Sequence, residues 1–331
     1  MSWREKEDLG TAIVANVCEL LRITDEWLVD RTRGFTWWAG DYAQSIWSNL
    51  GLFHNGVTLY RLHCETEMLR GSGHARDCEL QLTKLMSAAT LSGVTYDSTT
   101  DLYKLHCSVY VHNDNAEWVK RVLLGAVALQ IIDAQNNASL SLSTGHSTAT
   151  SGHPIRGLRH HPDPILDSMD KFFRPYGACE SKWVGFTAEW DEARERVRRI
   201  AQHSVTDNAT YLEAEFDWHL SAAVLPVRLE IRTDRPHEVL GCGLDFTLSL
   251  PFAMPAGQRA HTALELNARE RKEWNWCHDL GSWCTRGNEV VFKCFVPNIC
   301  HAPGILVELA HDMALRANWV NENLSKEPIS V

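Results

Sequence analysis

The chain has 331 residues, of which 44% are hydrophobic and 22% charged, and a formal net charge of −10. That length exceeds one ordinary hydrophobic core and suits two domains, and the composition excludes a chain disordered throughout. The acid surplus excludes phosphate-backbone binding as the main task, because that work needs an excess of Lys and Arg.

In chain order, a polar, acidic N-terminus without an apolar signal region leads into an amphipathic helix over 6–22, with Ile13, Val17, Leu20 and Leu21 at helical spacing. A second helix is expected over 38–50, carried by Trp38, Tyr42, Ile46, Trp47 and Leu50. The period then changes to two over 57–69. Tyr60, Leu62, Cys64, Thr66 and Met68 point one way and Arg61, His63, Glu65 and Glu67 the other, which is a half-buried strand. A helix over 77–91, a hairpin of Val94–Tyr96 with 102–111, and a helix over 115–134 follow.

Residues 139–164 are rich in Ser, Thr, Gly, His and Pro and read as a linker. Beyond it come a charged helix over 189–203 and three alternating strands centred on Phe216, Leu229 and Phe246. A helix over 260–272, a hairpin through Trp283 with a strand over 289–296, and a helix over 303–322 end the chain. No run of about 18 apolar residues occurs, so no membrane association is expected. The ten cysteines are scattered, and buried free thiols in a reducing, cytoplasmic setting are expected.

Internal repetition decides the architecture. Leu59, Tyr60, Arg61, Leu62, His63 and Cys64 return as Leu102, Tyr103, Lys104, Leu105, His106 and Cys107. Arg61, Leu62, Thr66 and Glu67 are echoed by Arg228, Leu229, Thr233 and Asp234. The fold class expected is α+β: two related modules, each an antiparallel sheet flanked by helices in the order helix, strands, helix, hairpin, helix. The modules occupy 1–138 and 183–331, joined by a connector over 139–182, and on the Arg61/Arg228 match the first module lacks one strand.

Catalytic signatures are missing: the sequence has no Walker A motif, dinucleotide fingerprint, Gly-x-Ser-x-Gly elbow or His-Glu-x-x-His. Cys277, His278, Cys284, Cys294, Cys300 and His301 are dense enough to raise a metal site, yet zinc knuckles of the Cys-x-x-Cys type are absent, and no metal or other cofactor is expected. His63 and His106 fall on the polar strand face and read as surface residues. Among 13 tryptophans, Trp37, Trp38 and Trp47 form one dense group and Trp274, Trp276 and Trp283 another, and Trp37, Trp38, Trp274, Trp276 and Trp283 are the candidates for a partner-binding surface.

The element order, the Arg-Leu-x-x-x-Thr-acid strands, the helix ending at Gly93 before Val94, and the last helix after Val296, Pro297 and Asn298 resemble the type III secretion chaperone-like fold and its YbjN-like relatives. The resemblance covers most of each half and leaves out the N-terminal helix and the connector. It implies a non-enzymatic, chaperone-like binder of a peptide segment or partner protein, with the tandem copy acting as an internal pseudo-dimer. Homo-oligomerisation belongs to the same reading. A metal-dependent enzyme using Cys277 to His301, and a structural subunit of a larger assembly, are the alternatives.

Overall fold

The computed structural model describes residues 3–5, 8–71, 76–88, 90–136, 147–149, 151–166, 180–201, 205–208, 211–220, 223–273 and 277–326. The first half runs α1 (Leu9–Leu20), β1 (Leu28–Arg31), β2 (Gly34–Trp38), β3 (Ala43–Ser48), β4 (Leu52–His54), β5 (Val57–Arg70), α2 (Arg76–Leu85), β6 (Gly93–Asp97), β7 (Leu102–Val111) and α3 (Ala116–Asn136). A short β8 (Ser147–Thr148) follows. The second half runs α4 (Thr187–Ile200), β9 (Val205–Asn208), β10 (Tyr211–Leu220), β11 (Ala223–Arg232), β12 (Gly243–Ala253), α5 (Ala256–Glu273), β13 (Ser282–Arg286), β14 (Glu289–Pro297) and α6 (Ile305–Lys326).

Two antiparallel sheets result, with strand orders β1-β2-β3-β5-β7-β6 and β9-β10-β11-β12-β14-β13. The orders correspond strand for strand, so the α+β duplication is a property of the fold. Two expectations are corrected by it. Residues 38–50 are not a helix: β2 and β3 pair across a turn at Gly40 and Asp41. Phe35, Trp37, Gln44 and Ile46 face the core while Thr36 and Ser45 face away, and a period of two replaces the apparent helical spacing. No strand is therefore missing from the first half. By sheet position the counterpart of β5 is β12, not β11, and the Arg61/Arg228 match is one strand out of step.

Local chemistry supports these elements. Asp8 caps α1 through the Thr11 amide at 3.0 Å and is held by Arg33 at 2.6 and 2.7 Å. The buried Gln44 amide donates to Thr66 Oγ1 and the Val127 carbonyl, while its oxygen accepts from Trp37 Nε1, so β2, β3, β5 and α3 share one satisfied polar group. Part of the connector lies on the first module: Ala149 donates to the Met68 carbonyl and Asp163 to that of Ala39.

The halves brace each other reciprocally. α2 packs on α5 and β13, and α5 packs on β6. Ser108 of β7 exchanges backbone hydrogen bonds of 3.0 and 2.8 Å with Asp279, which precedes β13; Phe295 of β14 donates to the carbonyl of Thr90, which precedes β6. One buried core runs from Trp3 to Val320, and a second joins Met68, Leu82 and Tyr103 to Leu264, Cys284 and Val291. Cys18, Cys64, Cys78, Cys107, Cys277, Cys284, Cys294 and Cys300 are free and buried, whereas Cys242 is disulfide-bonded, against the expectation of free thiols throughout. Among the described residues no helix is long and apolar enough to cross a membrane.

Candidate functional site

Alternation along β5 sends Leu62, Cys64 and Thr66 toward α3, leaving Arg61, His63 and Glu65 on the opposite face. Cross-strand register completes that face in rows. Trp47 lies opposite His63, His63 opposite Ser108, and Ser108 opposite Asp279 from the second module. Arg61 lies opposite Tyr110, and Glu65 opposite His106.

The histidines are not surface residues as the alternation implied. His63 is 8% exposed and His106 1%, because the second module brings Asp279 and Arg271 over this part of the sheet. His106 Nδ1 lies 3.1 Å from Asp279 Oδ2, and its Nε2 lies 3.5 Å from His63 Nδ1. With both rings neutral, the Asp279 charge favours a proton on His106 Nδ1, although that contact is not aligned as a hydrogen bond, and His63 Nδ1 is then the donor to His106 Nε2. His63 Nε2 is then a buried lone pair without a hydrogen-bond partner. Burial pushes both histidines below their ordinary range; for His63 the neighbouring His106, Arg61 and Arg271 add to it, while for His106 the Asp279 contact opposes it. Burial alone would raise the Asp279 carboxyl, but His106, Arg61 and Arg316 together outweigh it and hold the group low. Glu65 behaves likewise, its burial outweighed by Arg271 and by Lys104 at 3.0 Å.

Outward from this buried chain the face opens. The half-buried Trp47 stacks on His63 with ring centroids 4.7 Å apart, and the Arg31 guanidinium lies 5.3 Å from the Trp47 ring centre. Arg31 Nε donates to Thr36 Oγ1 at 2.7 Å, and Arg61 Nε donates to Ser108 Oγ at 2.9 Å. Beside Trp47 is a cavity of about 490 Å³ lined by Arg31, Thr32, Arg33, Ser48, Asn49 and Leu50. Its rim continues into the hairpin of β4 and β5, turned by Asn55 and Gly56 with positive φ. That hairpin exposes Leu52, Phe53 (71%) and Val57, and Leu50 just before it is exposed as well (76%). The second sheet also bears a cavity, of about 610 Å³ and lined in part by Arg228, Glu230 and Arg286, but its charges are paired: Lys293 binds Asp245, Arg228 binds Glu213 and Glu215, and Arg235 binds Glu230.

The residues singled out in the sequence lie elsewhere. Trp37, Trp38 and Trp283 are interior; Trp37 Nε1 donates to Gln44, Trp38 Nε1 to the Ser151 carbonyl and Trp283 Nε1 to Glu270. Trp274 and Trp276 lie outside the described residues. The Cys/His set is dispersed. Cys284 belongs to the second core, Cys300 packs near Gly125 and the Arg121 carbonyl, and His301 contacts Trp183 and Phe186. His278 Nδ1 accepts from the Tyr110 amide and its Nε2 lies 3.3 Å from Glu308. Among the described residues no three His, Cys, Asp or Glu side chains are placed to hold a metal ion. Burial pushes the Cys284, Cys294 and Cys300 thiols up to about 12 and so keeps them protonated.

Sequence reasoning placed Trp47 in a dense tryptophan group on an expected helix and gave no site role to Arg61, Arg271 or Asp279. The repeated phrase carrying His63 and His106 was the available signal, since it marks β5 and β7 as neighbours. No family model matches the chain, and neither curated proteins nor solved structures give a match.

Proposed function

We propose that the protein is a non-enzymatic, chaperone-like binding module that receives an extended segment of a partner protein on the first sheet. Its two halves, on this reading, are tandem type III secretion chaperone-like units joined as an internal pair. The observation that carries the reading is the run of exposed apolar groups: Leu50 lines a cavity with Trp47 and Arg31, and Leu52, Phe53 and Val57 of the adjoining hairpin are exposed. Clustered exposed apolar groups beside an aromatic anchor are the usual makeup of a docking surface. The two braced halves supply a rigid base for it, which reduces the ordering cost of binding.

A synthetic octapeptide alternating Leu and Glu provides the test, with its affinity read from tryptophan fluorescence. Phe53→Ser and Trp47→Ala weaken binding at least tenfold, while Arg286→Ala at the other sheet's hairpin leaves it unchanged. Equal affinity in all three variants would remove the first sheet as the site.

A further inference from the structure

Asn55-Gly56 is the only Asn-Gly pair in the chain, and it forms the exposed tip of the β4–β5 hairpin. His54 lies opposite Val57, which leaves these two residues as the whole turn, and both take positive φ, +48° and +85°. The pairing that suits this turn also opens the asparagine to its neighbour's nitrogen. Gly56 brings no Cβ, and one built there would meet nothing within 4 Å, so its amide nitrogen approaches Asn55 Cγ unobstructed. Asn55 Nδ2 donates to His54 Nε2 at 3.0 Å, which sets an imidazole beside the nitrogen that would depart. Asn288, in the turn of the β13–β14 hairpin, shares none of this: Glu289 follows it, and its Oδ1 accepts from Arg259 Nη1 at 3.2 Å.

The hairpin's composition decides what loss of that amide does. From Tyr42 to Tyr60 the chain carries no Asp, Glu, Lys or Arg, and Leu52, Phe53 and Val57 are exposed on the ribbon. A carboxylate at position 55 becomes the ribbon's one fixed charge, and a partner that covers the tip buries it with no counter-ion on the ribbon. We propose that Asn55 is a site of spontaneous deamidation that turns the hairpin from neutral to anionic and weakens docking there. The effect on docking rests on the partner-binding reading above; the chemistry stands apart from it. The Gly56 amide nitrogen attacks Asn55 Cγ and forms a new N–C bond, closing a cyclic imide, while the Gly56 amide proton goes to solvent. The Cγ–Nδ2 bond breaks, and the nitrogen leaves as ammonia with a proton supplied by the His54 imidazolium. Water then adds at one of the two imide carbonyls and opens the ring to Asp or to isoAsp. In isoAsp the main chain runs through the side-chain carbon, which lengthens the turn as well as charging it.

The test ages the full chain in neutral to mildly alkaline buffer made with heavy-oxygen water and maps its peptides by mass spectrometry. Asn55 converts at least tenfold faster than Asn288, takes up the heavy oxygen, and yields both Asp and isoAsp. Gly56→Ala slows the conversion at least tenfold, and His54→Gln slows it severalfold at the neutral end of the range. Conversion of Asn288 as fast as Asn55, or an unchanged rate in Gly56→Ala, overturns the site. An unchanged rate in His54→Gln overturns the proton role of that imidazole. For docking, the aged form resolved by anion exchange and the Asn55→Asp variant are titrated with the Leu/Glu octapeptide and an uncharged Leu/Gln counterpart. Both proteins bind both peptides at least fivefold more weakly than fresh protein, while Asn288→Asp leaves affinity unchanged. Equal affinity of aged and fresh protein overturns the effect on docking. Conversion at Asn55 with no peptide bound by fresh protein retains the modification site and removes the partner-segment reading.

Discussion

His106, on a strand of the first half, holds the carboxylate of Asp279, from the second half, at 3.1 Å. Asp279 also exchanges both backbone hydrogen bonds with Ser108, so one residue fixes backbone and side chain across the junction. Asp279→Ala removes the 3.1 Å charge contact to the buried His106 Nδ1 and is expected to cost about 1–3 kcal/mol. Urea denaturation measures the loss, and the Ser108 amide exchanges faster with solvent in the variant. An unchanged urea midpoint would show that the contact is incidental.

A fully buried ion pair lies deeper in the second half. Glu270 accepts from Arg316 Nε at 2.9 Å and from Trp283 Nε1 at 2.8 Å, and burial pushes its carboxyl up to about 7. Glu270→Gln removes the carboxylate charge bound to Arg316, which keeps the His278 carbonyl and the nearby Asp279 and Asp312 charges, and is expected to cost about 1–3 kcal/mol. The double variant Glu270→Leu with Arg316→Met recovers most of that loss, since an apolar pair carries no desolvation penalty. Additive losses in a double-mutant cycle would contradict this.

The three junction histidines give opposite pH signs. His63 and His106 have folded values depressed below the ordinary 6.5, chiefly by burial. Their contribution is complete above about pH 6.5 and lost as pH falls through the folded values. For His278, burial is outweighed by Asp312 and Glu308 and the folded value is raised, so its contribution is complete below 6.5 and lost as pH rises. Between about pH 7 and pH 5, His63→Gln and His106→Gln should therefore lose less stability than the parent protein, and His278→Gln more. Parallel stability curves for all four proteins would refute the assignment.

Several of these features were legible in the sequence, and the failures share a cause. Clean alternation placed β5, β7, β10, β11, β12 and β14, whereas the repeated phrase misled about the duplication, since its two copies are neighbouring strands, β5 and β7, of one sheet. Trp38, Tyr42, Ile46, Trp47 and Leu50 deceived because two short strands across a tight turn put apolar residues at spacings that also suit a helix. His63 and His106 occupy polar-face positions, as read, but periodicity describes one sheet and knows nothing of the module that covers it. Trp37 and Trp283 were misplaced for the converse reason: their indole nitrogens find Gln44 and Glu270 inside the core, so density of aromatics did not mean exposure.

Gly281 holds the approach to β13 at φ +102°, where an added Cβ would lie 2.2 Å from the Lys293 carbonyl oxygen. Backbone conformation and space both exclude a side chain. Gly281→Ala is expected to cost about 2 kcal/mol or more in thermal or urea unfolding. Gly287→Ala, at a positive φ in open space, costs less.

Alkylation reports the thiols. In native protein Cys64 and Cys107 stay unlabelled because they are fully buried, and unfolding without reductant exposes them. Cys242 is labelled only after reduction. Labelling of Cys242 in unreduced, unfolded protein would show that the disulfide is absent.

Hydrogen exchange of the full chain with and without the Leu/Glu octapeptide tests the binding face most directly. The result expected is protection over β1 to β3 and the β4–β5 hairpin, with β10 and β11 unaffected. Protection confined to the second sheet, or none anywhere at saturating peptide, would contradict a partner-binding face on the first sheet.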